Sequence, residues 1–191
     1  DPAARPGYEF TGWYTDPECT QAYVFTDDPV GLENVSLYSG WNDVRTTPSF
    51  DSEPGARDGL TYTGDSQNLV TSGSTDEGTI MYSLSPDGPF TTTLPAATAS
   101  DNYTVYYYIA GDEYHLDSQV QSVEVTIDPT MVTVTTNGTT TTMSAEDVLA
   151  APEAPTRPGY EFTGWYTDPE CTQPYVFTDD AVGVDDVTLY A

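Results

Sequence analysis

The chain has 191 residues and a formal net charge of −27, and its only basic residues are Arg5, Arg45, Arg57 and Arg157. A surface of this sign repels phosphate backbones and anionic lipid, which argues against nucleic acid or a membrane face as partner. Without lysine, Lys–Asn isopeptide crosslinks cannot form within the chain, and the length allows about three small modules with modest cores.

In chain order, the first readable stretch is one the chain carries twice. Residues 5–38 and 157–190 align at an offset of 152, with 28 of 34 positions identical. Repeats this close are one structural unit used twice. Within the unit, Pro6-Gly7 and Thr15-Asp16-Pro17-Glu18 are turn signals. Between them, Tyr8, Phe10 and Gly12 alternate with Glu9, Thr11 and Trp13, as in a strand with two faces. Tyr23-Val24-Phe25 and Val35-Ser36-Leu37-Tyr38 are further β-rich pieces, and Gly12-Trp13-Tyr14 reads as the core anchor.

Residues 42–128 show a different rhythm. Leu60–Tyr62, Gln67–Val70, Thr79–Leu84, Tyr103–Ile109 and Val120–Ile127 are β-rich and separated by Gly64-Asp65, Pro86-Asp87-Gly88 and Gly111-Asp112. Five or more strands at this spacing predict a sandwich. Asp101-x-Tyr103-x-Val105 has the form of a tyrosine corner. Beyond it, Met131–Thr135 reads as a strand, Asn137-Gly138 as a turn, and 144–150 as a short helix opened by a Ser144 N-cap.

The ordered motif Arg-Pro-Gly-Tyr-Glu-Phe-Thr-Gly-Trp-Tyr-Thr-Asp, followed by Cys-Thr, Tyr-Val-Phe and Leu-Tyr, resembles the Listeria–Bacteroides repeat, also called the internalin B-type repeat. The resemblance implies a small β-grasp module used in tandem on extracellular bacterial surface proteins. The stretch from Leu60 through Gly78–Pro95 to Asp101–His115 resembles bacterial immunoglobulin-like domains, without the cysteine pair or core tryptophan of antibodies. The expected architecture is therefore mostly β: an incomplete β-grasp repeat at 1–41, an immunoglobulin-like sandwich at 42–129 and a β-grasp repeat at 130–191. Asp1 aligns with Glu153, and Ala191 with Ser39, after which the first copy runs on to Gly40-Trp41. We read the chain as a window onto a longer array, with export and anchoring signals outside this sequence.

Chemistry is sparse. The single His115 sits in a polar turn, Gly111–His115, and reads as a solvated loop residue. With no second histidine and no lysine, most nucleophile–base pairs are missing, so no catalytic or cofactor-binding residue is assigned. The acidic pairs Asp27-Asp28, Asp179-Asp180 and Asp185-Asp186 lack the spacing of a calcium loop and read as solvated turns. Crowded carboxylates are expected to have raised pKa values. Tyr106-Tyr107-Tyr108 pairs across strands or, at an exposed ring, stacks on sugar. Asn34, Asn102 and Asn137 head N-glycosylation triplets, and Cys19 and Cys171 occupy equivalent places, one per copy, as small part-buried residues without metal-ligand spacing. The expected role is a non-catalytic stalk at the cell surface, partnered by neighbouring modules, or alternatively an adhesin for a glycan or protein.

Overall fold

The computed structural model describes residues 2–25 and 34–191. Its strands are β1 (Tyr8–Tyr14), β2 (Tyr38–Asp43), β3 (Leu60–Thr61), β4 (Gln67–Asn68), β5 (Gly78–Ser83), β6 (Ala96–Ala97), β7 (Asn102–Gly111), β8 (Gln121–Asp128), β9 (Met131–Thr136), β10 (Thr139–Ser144) and β11 (Val187–Leu189). They form sheets ordered β1-β2, β3-β8-β7-β5, β4-β6 and β10-β9-β11. With no helix among the described residues, this is a mostly-β protein built of tandem modules. Two compact units are defined: Asp1–Pro54 with Ser72–Thr93 and Tyr106–Ser122, and Gly55–Thr71 with Leu94–Val105 and Val123–Ala191.

In the first unit, Arg-Pro-Gly-Tyr closes a turn of the type II pattern, with Gly7 at φ 73° and the Tyr8 N–H donating to the Arg5 carbonyl at 3.1 Å. β1 then pairs antiparallel with β2, Tyr8 facing Asp43 and Tyr14 facing Tyr38. The simple alternation read from sequence fails inside β1. A bulge between Phe10 and Gly12, with Gly12 at φ 144°, leaves Thr11 without a partner in the register. It turns Trp13 to the side of Phe10, whose ring lies 5.7 Å from Trp13 and 5.5 Å from Trp41. Further on, β5 pairs with β7, and Tyr82, Tyr107 and Ile109 are buried from alternate positions.

In the second unit, Leu60, Leu69, Val70, Val105, Val125 and Ile127 form one apolar core. The Tyr103 hydroxyl donates back to the Ala99 carbonyl at 2.9 Å, the contact expected of a tyrosine corner. A second core holds Val132, Val134, Ala145, Trp165 and Leu189. β9 and β10 make a hairpin across Asn137-Gly138, both at positive φ (50° and 80°), as a type I′ turn requires.

The helix expected at 144–150 does not form. Ser144 does accept from the Glu146 N–H at its hydroxyl, but the turn stops there. The carbonyls that would continue it are engaged elsewhere, Ala145 accepting from the Gly183 N–H and Asp147 from the Val182 N–H, while the Ala145 N–H, free in any first turn, donates to Thr130. Six or seven residues cannot repay helix nucleation against such competition.

Candidate functional site

The repeated loop Asp-Pro-Glu-Cys-Thr-Gln is the most fully built polar feature. In the first copy the Asp16 carboxylate accepts from Thr20 N–H (2.9 Å), Thr20 Oγ1 (2.9 Å) and Gln21 N–H (2.7 Å). In the second, Asp168 accepts from Thr172 N–H (2.9 Å), Thr172 Oγ1 (2.9 Å) and Gln173 N–H (2.6 Å). The cysteine completes each turn, with its N–H on the Asp16 or Asp168 carbonyl and φ of 53° or 54°. Tyr23 and Tyr175 then return their N–H groups to the carbonyls of Trp13 and Trp165. Both cysteines are half-buried free thiols.

A second repeated device joins arginine to tyrosine. The Arg5 guanidinium lies 3.7 Å above the Tyr8 ring and Arg157 lies 4.2 Å above Tyr160, a cation–π contact the tight turn enforces. The sequence carried this signal as Arg and Tyr across Pro-Gly, and sequence reasoning missed it. Beside it in the second copy is an open cleft of about 340 Å³ lined by Arg157, Tyr160, Phe162 and Cys171 among others.

The other residues singled out by sequence are dispersed. Tyr107 is buried against Phe50, while Tyr106 and Tyr108 are half-buried on the opposite face of the ladder. Tyr108 packs edge-on to Phe90 at 5.0 Å. His115 is less free than its loop implied: Nδ1 is 2.7 Å from Asp112, and Nε2 is 3.7 Å from Glu77, which also accepts from Ser49 N–H. Asn34, Asn102 and Asn137 are exposed, and the Asn102 side chain accepts from Thr126 Oγ1. Asp27 and Asp28 lie outside the described residues. Asp179 and Asp180 are exposed, and Asp186 is engaged by the Thr133 N–H at 2.7 Å. Among the described residues no three His, Cys, Asp or Glu side chains converge as metal ligands.

Six carboxylates run against the expectation of raised pKa values. Asp16 and Asp168 are held below the usual range, first by the backbone N–H groups of Thr20 and Thr172. Ser49 does the same to Glu77, Tyr114 to Asp112 and Thr133 to Asp186. Asp43 falls to about 2, chiefly through the side-chain hydrogen bond from Arg45 at 2.8 Å. Local donors outweigh the diffuse repulsion of an acidic surface, because water and salt screen the latter.

Two copies of one turn-and-loop unit, each closed by the same internally bonded loop, define a tandem-repeat β protein, although the strand expected ahead of the loop forms only in the first copy, as β1, and its counterpart at 160–166 keeps just the bridges of Tyr166. The model of the Listeria-Bacteroides repeat domain matches residues 1–39 and 131–191, and the chain belongs to that family. Two Evansella cellulosilytica proteins named as membrane proteins, one of them Gly-rich, are 25% and 26% identical across the whole chain. Internalin H of Listeria monocytogenes is 30% identical over 54% of it. The chain spans 21%, 27% and 23% of the lengths of these three relatives. No helix among the described residues is long and apolar enough to cross a membrane.

Proposed function

We propose that this segment is a non-catalytic structural spacer in a repetitive extracellular surface protein, whose partners are the neighbouring modules of the same chain. The observation that carries this reading is that the loop aspartates and the turn arginines kept in both copies are spent on the fold. Asp16 and Asp168 are filled by their own loops, and the arginines of the Arg-Pro-Gly-Tyr turns cover their own tyrosines. A binding site leaves such groups directed outward. The surface location is supported by family membership and by relatives named as membrane proteins and as an internalin.

The three-module organisation, 1–41, 42–129 and 130–191, belongs to the same proposal. An immunoglobulin-like middle is supported by the order β3-β8-β7-β5 beside β4-β6, by the parallel β3–β8 pair and by the Tyr103 contact. A β-grasp character for 130–191 is supported by β9, whose neighbours are the hairpin partner β10 and the parallel last strand β11.

The alternative, an adhesin, draws on Tyr106 and Tyr108 with Phe90, an aromatic patch on one sheet face. Asp168→Ala separates a fold device from a ligand device. In the spacer reading the substitution lowers the melting temperature of the second repeat. A residue kept for binding leaves stability unchanged or improved when removed, and that outcome contradicts the proposal.

A further inference from the structure

The first and last strands of the second repeat are neighbours and run in the same direction. Val187 faces Val134, Thr188 faces Thr135 and Leu189 faces Thr136. The preceding stretch repeats this arrangement: Leu60 faces Ile127 and Thr61 faces Asp128 in the parallel pair β3–β8, continued by the Tyr62 N–H on the Asp128 carbonyl at 2.8 Å. The two sheets, of different order, thus share a parallel pair that includes the last strand, but only β9–β11 joins the strand that enters to the strand that leaves, because residues 46–57 make their own pairings ahead of β3.

That feature has a mechanical meaning. Tension on the two ends of such a module draws its entering strand one way and its leaving strand the other. Parallel neighbours then slide along each other, so the ladder hydrogen bonds lie across the pull and share it. An antiparallel hairpin pulled from its open end instead loses its pairs one after another. Buried side chains line both parallel ladders: Leu60 and Ile127 in one, Val134 and Leu189 in the other. Sliding must therefore drag apolar groups through a packed core, where lost contacts are costly.

The connection between the ladders is short and tied. β8 ends at Asp128 and β9 begins at Met131, leaving only Pro129 and Thr130, a span of about 7 Å at full extension. Thr130 Oγ1 donates to the Tyr62 carbonyl at 2.6 Å, and the Thr130 carbonyl accepts from the Ala145 N–H at 2.8 Å. Force reaching β8 passes to β9 with little slack to absorb it.

We propose that the second repeat bears tension, loaded in shear through β9–β11. The function deepens the spacer reading and rests on it: the chain holds its span while a load is drawn away from the surface that anchors it.

Single-molecule pulling on the full chain tests this, with the same sequence held in two geometries by site-specific handles that do not use cysteine. Handles at 130 and 190 load the β9–β11 ladder in shear. Handles at 130 and at the exposed position 147 load the β9–β10 hairpin from its open end, at the Met131–Ser144 pair. The hairpin geometry is expected to yield at about half the force or less at equal loading rate. Equal forces, or an easier opening in the 130/190 geometry, overturn the proposal. A folding defect cannot mimic the expected result, because the two chains differ only in where the second handle is attached and each is first shown to melt alike. The outcome is also separable from the spacer reading, which fails on a specific ligand or on an Asp168→Ala variant of undiminished stability.

Discussion

Trp165→Ala is the most informative single perturbation of the second repeat. Trp165 is 5% exposed, packs edge-on to Phe162 at 5.5 Å, and donates its Nε1–H to the Pro152 carbonyl at 3.3 Å. It thereby ties Pro152 to a repeat whose other buried residues are Val132, Val134, Ala145 and Leu189. Truncating a buried tryptophan costs about 3–5 kcal/mol, and the hydrogen bond adds about 1 kcal/mol. A domain of roughly 60 residues has only about 3–9 kcal/mol of stability in total. The substitution should therefore unfold the second repeat, or leave it barely folded, at 25 °C. Trp13 is an internal control: it is half-buried, so Trp13→Ala should cost roughly half as much or less. Urea titration of the full chain, followed on the methyl signals of Val132, Val134 and Leu189 for Trp165→Ala and on the Trp41 indole signal for Trp13→Ala, reads each loss where it occurs. A loss below about 1 kcal/mol for Trp165→Ala would refute the assignment of this side chain as the anchor.

Three further outcomes follow from the same geometry. Because Asp16, Asp43, Glu77, Asp112, Asp168 and Asp186 are lowered in the folded state, the stability they contribute is complete above the unfolded values of about 4 and is lost as pH falls through the folded ones; thermal melts should be flat from pH 7 to about 5 and drop below about 4, and a rise on acidification to pH 3 would contradict this. The melting temperature should climb gradually from low to molar sodium chloride as screening shortens from about 10 Å to about 3 Å, with calcium and magnesium acting alike; a saturating, calcium-selective rise removed by Asp179→Asn with Asp180→Asn would establish a site that the exposed pair does not otherwise show. Gly138→Ala adds a Cβ that meets nothing within 4 Å at φ 80°, so backbone strain alone sets its cost of about 1–2 kcal/mol in urea unfolding, and a neutral result would mean that the turn adopts another form in solution.

Sequence made the local devices legible and left the non-local ones hidden. Asn137-Gly138 announces its turn because only such residues reach two positive φ values in succession. Tyr103 and the Pro-Gly turns were readable from equally local patterns, and the Gly-Trp-Tyr motif marked an anchor that is buried as Trp165 and only half-buried as Trp13. The bulge at Thr11 was not, since a glycine in a strand signals close approach or a bulge without saying which. The helix at 144–150 was misread because residues 130 and 182–183, distant in sequence, capture its backbone. The β9–β11 ladder joins residues 53 apart (187 − 134), beyond any periodicity. Net charge likewise counted the carboxylates but could not see the N–H groups that meet Asp168 or Asp186. The acidic pair Asp27-Asp28 falls outside the described residues.

The most direct test of the spacer account is a binding screen of the intact chain on a glycan array and against extracellular proteins, run beside a Tyr106→Ser, Tyr108→Ser variant shown to melt at a comparable temperature. The account predicts no saturable binding by either protein. Saturable binding by the intact chain that disappears in the variant would contradict it and make the aromatic face of β7 an adhesive site.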